Sequence, residues 1–510
     1  MTSRILGLLR DQVLASMFGA GNAMDAFNVA FRIPNLVRDL FAEGAMSAAF
    51  VPVFMRQLAA GDKPSAWRLG SNVINALLVI TGLLVMLGFV FARPLVNAFA
   101  ADYAAVPGKL ELTVMLTRIM LPFLTLVALA AAMMGMLNSL QRFFIPALAP
   151  AMFNIATIAC ALLLVPLMPR FGVAPITAIA IGALVGGVAQ VLLQLPLLRR
   201  EGFAYTPLFD WNDEGLRRVL MLMGPGTIGL AATQVNVFVN TMLATGQGTG
   251  AVSWLNYAFR LMYLPTGLFG VSIATATVPA VSRHAARDDH AAVRSTLGDG
   301  LSLMLMMNVP ATVGLIVLAH PIVRVIFERR AFLPSDTAAT AAALQFYAIG
   351  LLGYSVVRVA SPTFYALGDS RTPVRISIAS VAANAVLNVM LAPTLGFRGL
   401  ALGTSIAALF NAGTLLWLLH TRLGGLDDRR LLRSLARIAI ASLLMGTAAL
   451  AVNGALQTWI VGDTFLRQAG RLFLTIVTAL VVLGIAAHVL RIREFREAVD
   501  LVAKRGGSEA

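Results

Sequence analysis

Asn28-Val29-Ala30-Phe31-Arg32-Ile33 returns 228 residues later as Asn256-Tyr257-Ala258-Phe259-Arg260-Leu261. Downstream, Ala49-Phe50-Val51-Pro52 with Arg56 returns at a spacing of 227 as Ala276-Thr277-Val278-Pro279 with Arg283. Two matches at nearly one offset mark an internal repeat. Gly, Pro and charge clusters cut the chain into apolar spans near 2–20, 25–56, 68–99, 109–139, 145–168, 173–199, 214–245, 250–284, 290–328, 336–367, 372–393, 398–422, 430–458 and 465–491. Most of these are long enough to cross a hydrocarbon core of about 30 Å. Each repeat holds six spans. An even number returns the chain to the side it started from, so the repeats enter the membrane in the same orientation, related by a pseudo-twofold along the membrane normal. The expected fold is an all-α polytopic membrane protein of about fourteen transmembrane helices. Two parallel six-helix lobes, 1–205 and 206–425, would flank a central cavity; transmembrane helices 13–14 occupy 426–492 and a cytoplasmic tail 493–510.

Composition agrees. Apolar residues make up 58% of the chain and charged residues only 12%, which leaves no room for a soluble domain among the spans. The first span is short for the bilayer and is expected to begin slightly upstream. Arg4, Arg10 and Asp11 interrupt it, so it is not a cleavable signal. The net charge of +15 belongs to orientation and not to nucleic acid. Roughly 23 of the 39 basic residues fall in loops after even-numbered spans and in the tail, which by the positive-inside rule puts both termini in the cytoplasm.

Charges inside the spans are the chemically informative residues. A charge at the bilayer centre costs about 2.5–3.5 kcal/mol on insertion scales and persists where it faces a wet cavity. Arg10, Arg38 and Arg260 sit in spans 1, 2 and 8. Counting 1.5 Å per residue from Asp25, Arg38 lies roughly 20 Å into the membrane and Arg32 about 10 Å, within reach of the interface. Guanidinium forks stay ionised and bind phosphate in pairs, so these arginines suit a cavity for a phosphate-bearing headgroup. The same residues also fit structural ion pairs, Arg10 with Asp11 or Asp25 and Arg38 with Glu43. A carboxylate that holds an arginine until substrate displaces it would reconcile the two. Gln234, Asn236, Asn240, Asn384, Asn388, Thr404 and Asn411 read as interhelical hydrogen-bonding groups in preference to a cation site, since no carboxylate joins them.

Enzymatic readings fare poorly. The pairs Asp288-Asp289 and Asp427-Asp428 lie in loops without a third acid, and the five histidines form no ligand pattern. Cys160 is alone on an apolar helix, which excludes disulfides and thiolate metal sites. We expect no catalytic residue, no metal and no cofactor.

Ser3-Arg4-Ile5-Leu6-Gly7, Arg10-Asp11, Phe18-Gly19-Ala20-Gly21, Asp25-Ala26-Phe27, Arg32-Ile33-Pro34-Asn35-Leu36 and Phe41-Ala42-Glu43-Gly44-Ala45 together resemble the MurJ (MviN) family, as do Gln141-Arg142-Phe143 with Pro146, Ser253-Trp254 and Arg260. These are the bacterial lipid II flippases of the MOP exporter superfamily. The resemblance implies alternating access and a cargo of undecaprenyl pyrophosphate bearing a disaccharide-pentapeptide. It also implies a cytoplasmic (inner) membrane setting among membrane lipid, with peptidoglycan-synthesis proteins as partners. Residue by residue it implies that Arg4, Arg10, Arg38 and Arg260 contact substrate with Ser3 and Ser253 lining the cavity. Asp25 and Glu43 match important carboxylates, which with Asp11 are candidates for gating or ion pairing. One departure stands out: Phe259 occupies a position where many relatives carry an acid. Another MOP-type exporter of a polyprenyl-linked glycan remains the alternative, although it should lack this arginine-rich first hairpin.

Overall fold

The structure is a computed structural model that describes residues 2–39, 46–207 and 209–496. All regular elements among them are helical. The helices cluster into two compact units, Met1–Ser253 with Arg329–Phe332, and Trp254–Glu328 with Leu333–Ala510.

In the first unit, α1 (Thr2–Phe18), α2 (Asn22–Arg38) and α3 (Met46–Ala59) precede α4 (Lys63–Val90), which continues as α5 (Ala92–Ala100). A 3₁₀ turn, Ala101–Ala105, leads to α6 (Lys109–Met120) and α7 (Phe123–Ser139). Then come α8 (Phe144–Leu164), α9 (Thr177–Arg200) and α10 (Glu214–Thr245). Its core is a run of rings, Phe50 on Phe54, Phe54 on Trp67 and Trp67 on Phe203, at centroid separations of 5.2–5.7 Å. Small residues let α8 and α9 approach: a methyl group added at Gly182 would lie 3.2 Å from the Thr157 backbone, and one at Gly186 3.0 Å from that of Phe153.

α11 (Ala251–Pro265) starts in the first unit and carries the chain into the second. A π-turn at Thr266–Gly270 separates it from α12 (Val271–Ala285), consistent with the missing N–H of Pro265. α13 (His290–Val317) continues as α14 (Ala319–Phe327), followed by α15 (Pro334–Ile349), α16 (Leu351–Ala366), α17 (Arg371–Leu395), α18 (Phe397–Leu423), α19 (Asp428–Trp459) and α20 (Phe465–Val489).

The repeat is written in the backbone as well as in the residues. The side chain of Asp62 caps α4 by accepting from the Ser65 amide at 2.9 Å. Asp289, 227 residues later, caps α13 by accepting from Ala292 at 2.9 Å. α4 then breaks at Phe91 (φ −93°, ψ 19°) and α13 at Leu318 (φ −101°, ψ 15°), again 227 apart.

Among the described residues, eleven helical stretches are long and apolar enough to cross a membrane. Of the fourteen spans expected from sequence, α1, the α2 segment and α10 fall outside that set. α1 and α2 carry most of the charged residues singled out above, and α10 carries Gln234, Asn236 and Asn240. Elsewhere the lipid-facing character is plain, with Leu466, Leu443 and Val489 each more than 60% exposed.

Candidate functional site

The most tightly organised polar group lies on α2, α6 and the start of α11. Asp25 is fully buried, and its carboxylate accepts from Lys109 Nζ at 3.0 Å, Gly250 N–H at 2.7 Å, Ser253 N–H at 3.1 Å and Ser253 Oγ at 2.7 Å. The last three donors are the opening of α11. Asp25 therefore caps a helix from another part of the chain, placing a negative charge where unpaired amides and the helix dipole favour one. Asn28 Nδ2 donates to Ser253 Oγ at 3.0 Å, and Thr249 Oγ1 donates to Asn22 Oδ1 at 2.9 Å. Lys109, 3% exposed, also lies 4.0 Å from the ring centre of Tyr103. Burial, and then the Asp25 carboxylate, push the Tyr103 hydroxyl far above the ordinary phenol range.

Sequence reasoning offered Arg10 as a partner for Asp25. The structure gives that place to Lys109, and Arg10 pairs with its neighbour. Arg10 Nε and Nη2 donate to one oxygen of Asp11, at 3.1 and 2.8 Å, while the guanidinium sits 5.4 Å from the Phe153 ring centre. Near the start of α1, Asn154 Nδ2 holds the Ser3 carbonyl at 3.1 Å, and Arg4 is exposed. Ser253, expected as a lining residue, is fully buried with its hydroxyl committed to Asp25 and Asn28.

Arg38 closes the last turn of α2, where a cation complements the helix dipole. Its Nε and Nη2 donate to Asp39 Oδ1 at 2.9 and 2.6 Å, and Gln234 Nε2 reaches Asp39 Oδ2 at 3.5 Å. Glu43, the partner anticipated from sequence, lies outside the described residues.

In the second unit, α11 carries Arg260, which is partly buried. Phe259 faces an aromatic set, Tyr263, Tyr347 and Tyr354, at centroid separations of 5.4–6.0 Å. At this position the chain packs a ring. Arg358 on α16 joins the set, stacking 5.4 Å from the Tyr263 ring centre and hydrogen-bonding its hydroxyl. Of the amides expected to tie helices together, Asn384 does so, donating to Thr404 at 3.3 Å from α17 to α18, whereas Asn388 donates to Asn384 at 3.2 Å within α17 and Asn240 to Asn236 at 3.4 Å within α10. No group of metal-ligating side chains occurs among the described residues.

Lys109 and Arg358 were missed by sequence reasoning, as was the pairing of Arg38 with Asp39. Arg358 had a signal, being a lone charge in the apolar run of α16. Lys109 had none, since it follows Gly108 and resembles an ordinary loop-end lysine.

The sequence profile described as "Lipid II flippase MurJ" matches residues 14–470. The chain belongs to the MurJ family. It is 34% identical to a "Probable lipid II flippase MurJ" of Vibrio cholerae, over 96% of this chain and 92% of that one. A "Lipid II flippase MurJ" of Burkholderia cenocepacia is 35% identical over 81% and 80% of the two chains. Among solved structures, a lipid II flippase MurJ in an inward closed conformation superposes with a TM-score of 0.77 at 27% identity, covering 96% of this chain and 97% of that one. An inward-facing MATE transporter of the MOP superfamily shares the fold, with a TM-score of 0.68 at 16% identity over 84% of this chain and 96% of that one. The chain is thus a polytopic membrane protein of this family, with the MOP-type helical fold.

Proposed function

We propose that this chain moves lipid II, the undecaprenyl-pyrophosphate-linked disaccharide-pentapeptide, from the inner to the outer leaflet of the cytoplasmic membrane by alternating access. The family match over residues 14–470 carries this reading. The physical chemistry of the polar helices supports it. A pyrophosphate cannot cross hydrocarbon unaided, and α1, α2 and α11 carry arginines at depths where a charge needs a counter-ion. Arg4, Arg10, Arg38 and Arg260 are our substrate-contacting residues, with Ser3 beside them. Arg10 and Arg38 are each held through one oxygen of Asp11 and Asp39, a form that a diphosphate can take over, because the pyrophosphate offers each guanidinium two acceptor oxygens and more charge. Asp25 and Ser253 act as structural anchor and gate for the start of α11 in this proposal, and Glu43 keeps its ion-pairing role. The lobes 1–205 and 206–425, the cytoplasmic termini and a role in transport without a catalytic step belong to the same reading. So do partners among peptidoglycan-synthesis proteins.

The test is depletion of the protein in its own host, with outer-leaflet lipid II measured, and rescue by the parent or by Arg38→Ala. Loss of outer-leaflet lipid II on depletion, rescue by the parent and failure of Arg38→Ala at normal membrane levels is the expected result. Unchanged exposure on depletion would send the search to other polyprenyl-linked glycans.

A further inference from the structure

In the second unit, the turn between α18 and α19 and the chain after α20 line an open cavity of about 610 Å³. Arg294, Arg429, Arg430, Arg433, Arg437 and Arg493 line it, against three acids, Asp427, Asp428 and Glu494. Much of this charge is already spoken for. Arg430 pairs with Asp299 at 2.6 Å, Arg294 approaches Asp427 at 3.9 Å, Asp428 meets His420 at 3.0 Å, and Glu494 accepts from Ser434 at 3.0 Å. Arg429 and Arg433 have no such partner among the described residues, and Arg437 donates only to the Arg491 carbonyl at 3.3 Å. These three are spaced four apart on α19, so they share one face.

Followed along the helix, that face changes character. Leu432 stands among the arginines, and the face continues through Ile440, Leu443 and Leu444, all exposed. Cationic forks at one end of a helix and an exposed apolar stripe directly beneath them are the two halves of a phospholipid site: headgroup phosphate on the guanidiniums, acyl chain along the stripe. A free phosphate would use the first half only. A solvated orienting charge needs neither a cavity nor a shared face.

We propose that this cavity binds the headgroup of an anionic glycerophospholipid of the surrounding leaflet, held by Arg429, Arg433 and Arg437. The assignment is independent of which lipid-linked cargo the protein moves.

The full chain, purified in detergent, would be titrated with phosphatidylglycerol and with phosphatidylcholine, and bound lipid counted by native mass spectrometry. Phosphatidylglycerol should bind at least about tenfold more tightly, and binding should weaken with salt. The triple variant Arg429→Gln/Arg433→Gln/Arg437→Gln should weaken phosphatidylglycerol by about ten- to a hundredfold, phosphatidylcholine unchanged. A charge-matched control, Arg199→Gln/Arg200→Gln/Arg218→Gln, should leave both unchanged. Equal loss in the two triple variants, or no headgroup preference in the unmodified protein, overturns the proposal. So does displacement of phosphatidylglycerol by inorganic phosphate at equal concentration, which would make the cavity a phosphate site. The preference of the unmodified protein stands as a test even if the triple variant fails to fold.

Discussion

The buried pair of Asp25 and Lys109 sets a quantitative test. At 3.0 Å and an effective dielectric of about 20, two unit charges attract by roughly 5 kcal/mol. Removing both from water costs several kcal/mol per ion, so the pair as a whole should be worth little more than a well-packed apolar substitute. Breaking it from one side is different. Lys109→Met leaves a carboxylate with no cation in a fully buried site, where such losses run to about 3–5 kcal/mol. Asp25 keeps its three donors from Gly250 and Ser253, which moves the expectation to the lower end, about 3 kcal/mol. Asp25→Asn should cost about as much, because it strands the ammonium. The double variant should cost clearly less than the two singles together, with a coupling of at least about 2 kcal/mol. The assay is denaturant unfolding of the full chain in one detergent, with all four proteins in a double-mutant cycle. Additive losses, or a Lys109→Met cost under about 0.5 kcal/mol, would refute the view that the lysine is the charge that makes buried Asp25 tolerable.

Three further predictions come from other parts of the chain. Gly353→Ala would place a methyl 2.6 Å from the Ala408 backbone, which cannot swing aside, so the melting midpoint should drop by the equivalent of about 1–3 kcal/mol. Asp62→Ala and Asp289→Ala remove equivalent helix caps and should each cost about 1 kcal/mol in the same unfolding assay, with similar values at the two repeat positions. Asp369, in the turn before α17, is held below the usual carboxylate range, first by the Thr372 amide and then by the Thr372 hydroxyl, the Arg371 amide and Arg422. A folded value below the unfolded one means its contribution is present above the unfolded pKa and is lost as pH falls through the folded one. The difference in melting midpoint between the parent and Asp369→Asn should therefore be seen at neutral pH and vanish under acid conditions.

Helices, membrane class and repeat were legible in the sequence because each rests on short-range information. Apolar run length reports the bilayer, Gly and Pro clusters report the breaks, and a repeated hexapeptide reports duplication whatever the packing. The arginines were legible for a related reason, since an intramembrane charge is costly wherever the helix finally sits. Even so, the breaks at Phe91 and Leu318 were passed over, although Pro94 and Pro321, three residues past each, have no N–H to give the carbonyls of Val90 and Val317.

Partners were another matter. Arg10 had two candidate acids and Asp25 was one of them; the structure paired Arg10 with Asp11 and Asp25 with Lys109, 84 residues along the chain. Nothing local distinguishes these choices, because an ion pair depends on which helices pack together and on what else reaches the same oxygen. The amides of Gly250 and Ser253 decide the matter for Asp25, and backbone donors leave no trace in residue identity. Sequence alone thus determined what kind of solvent this chain lives in, how many times its pattern repeats and which charges have to be compensated. Tertiary packing decided what compensates each of them, since burial and distance, which set the strength of every charge interaction, exist only once the helices are assembled.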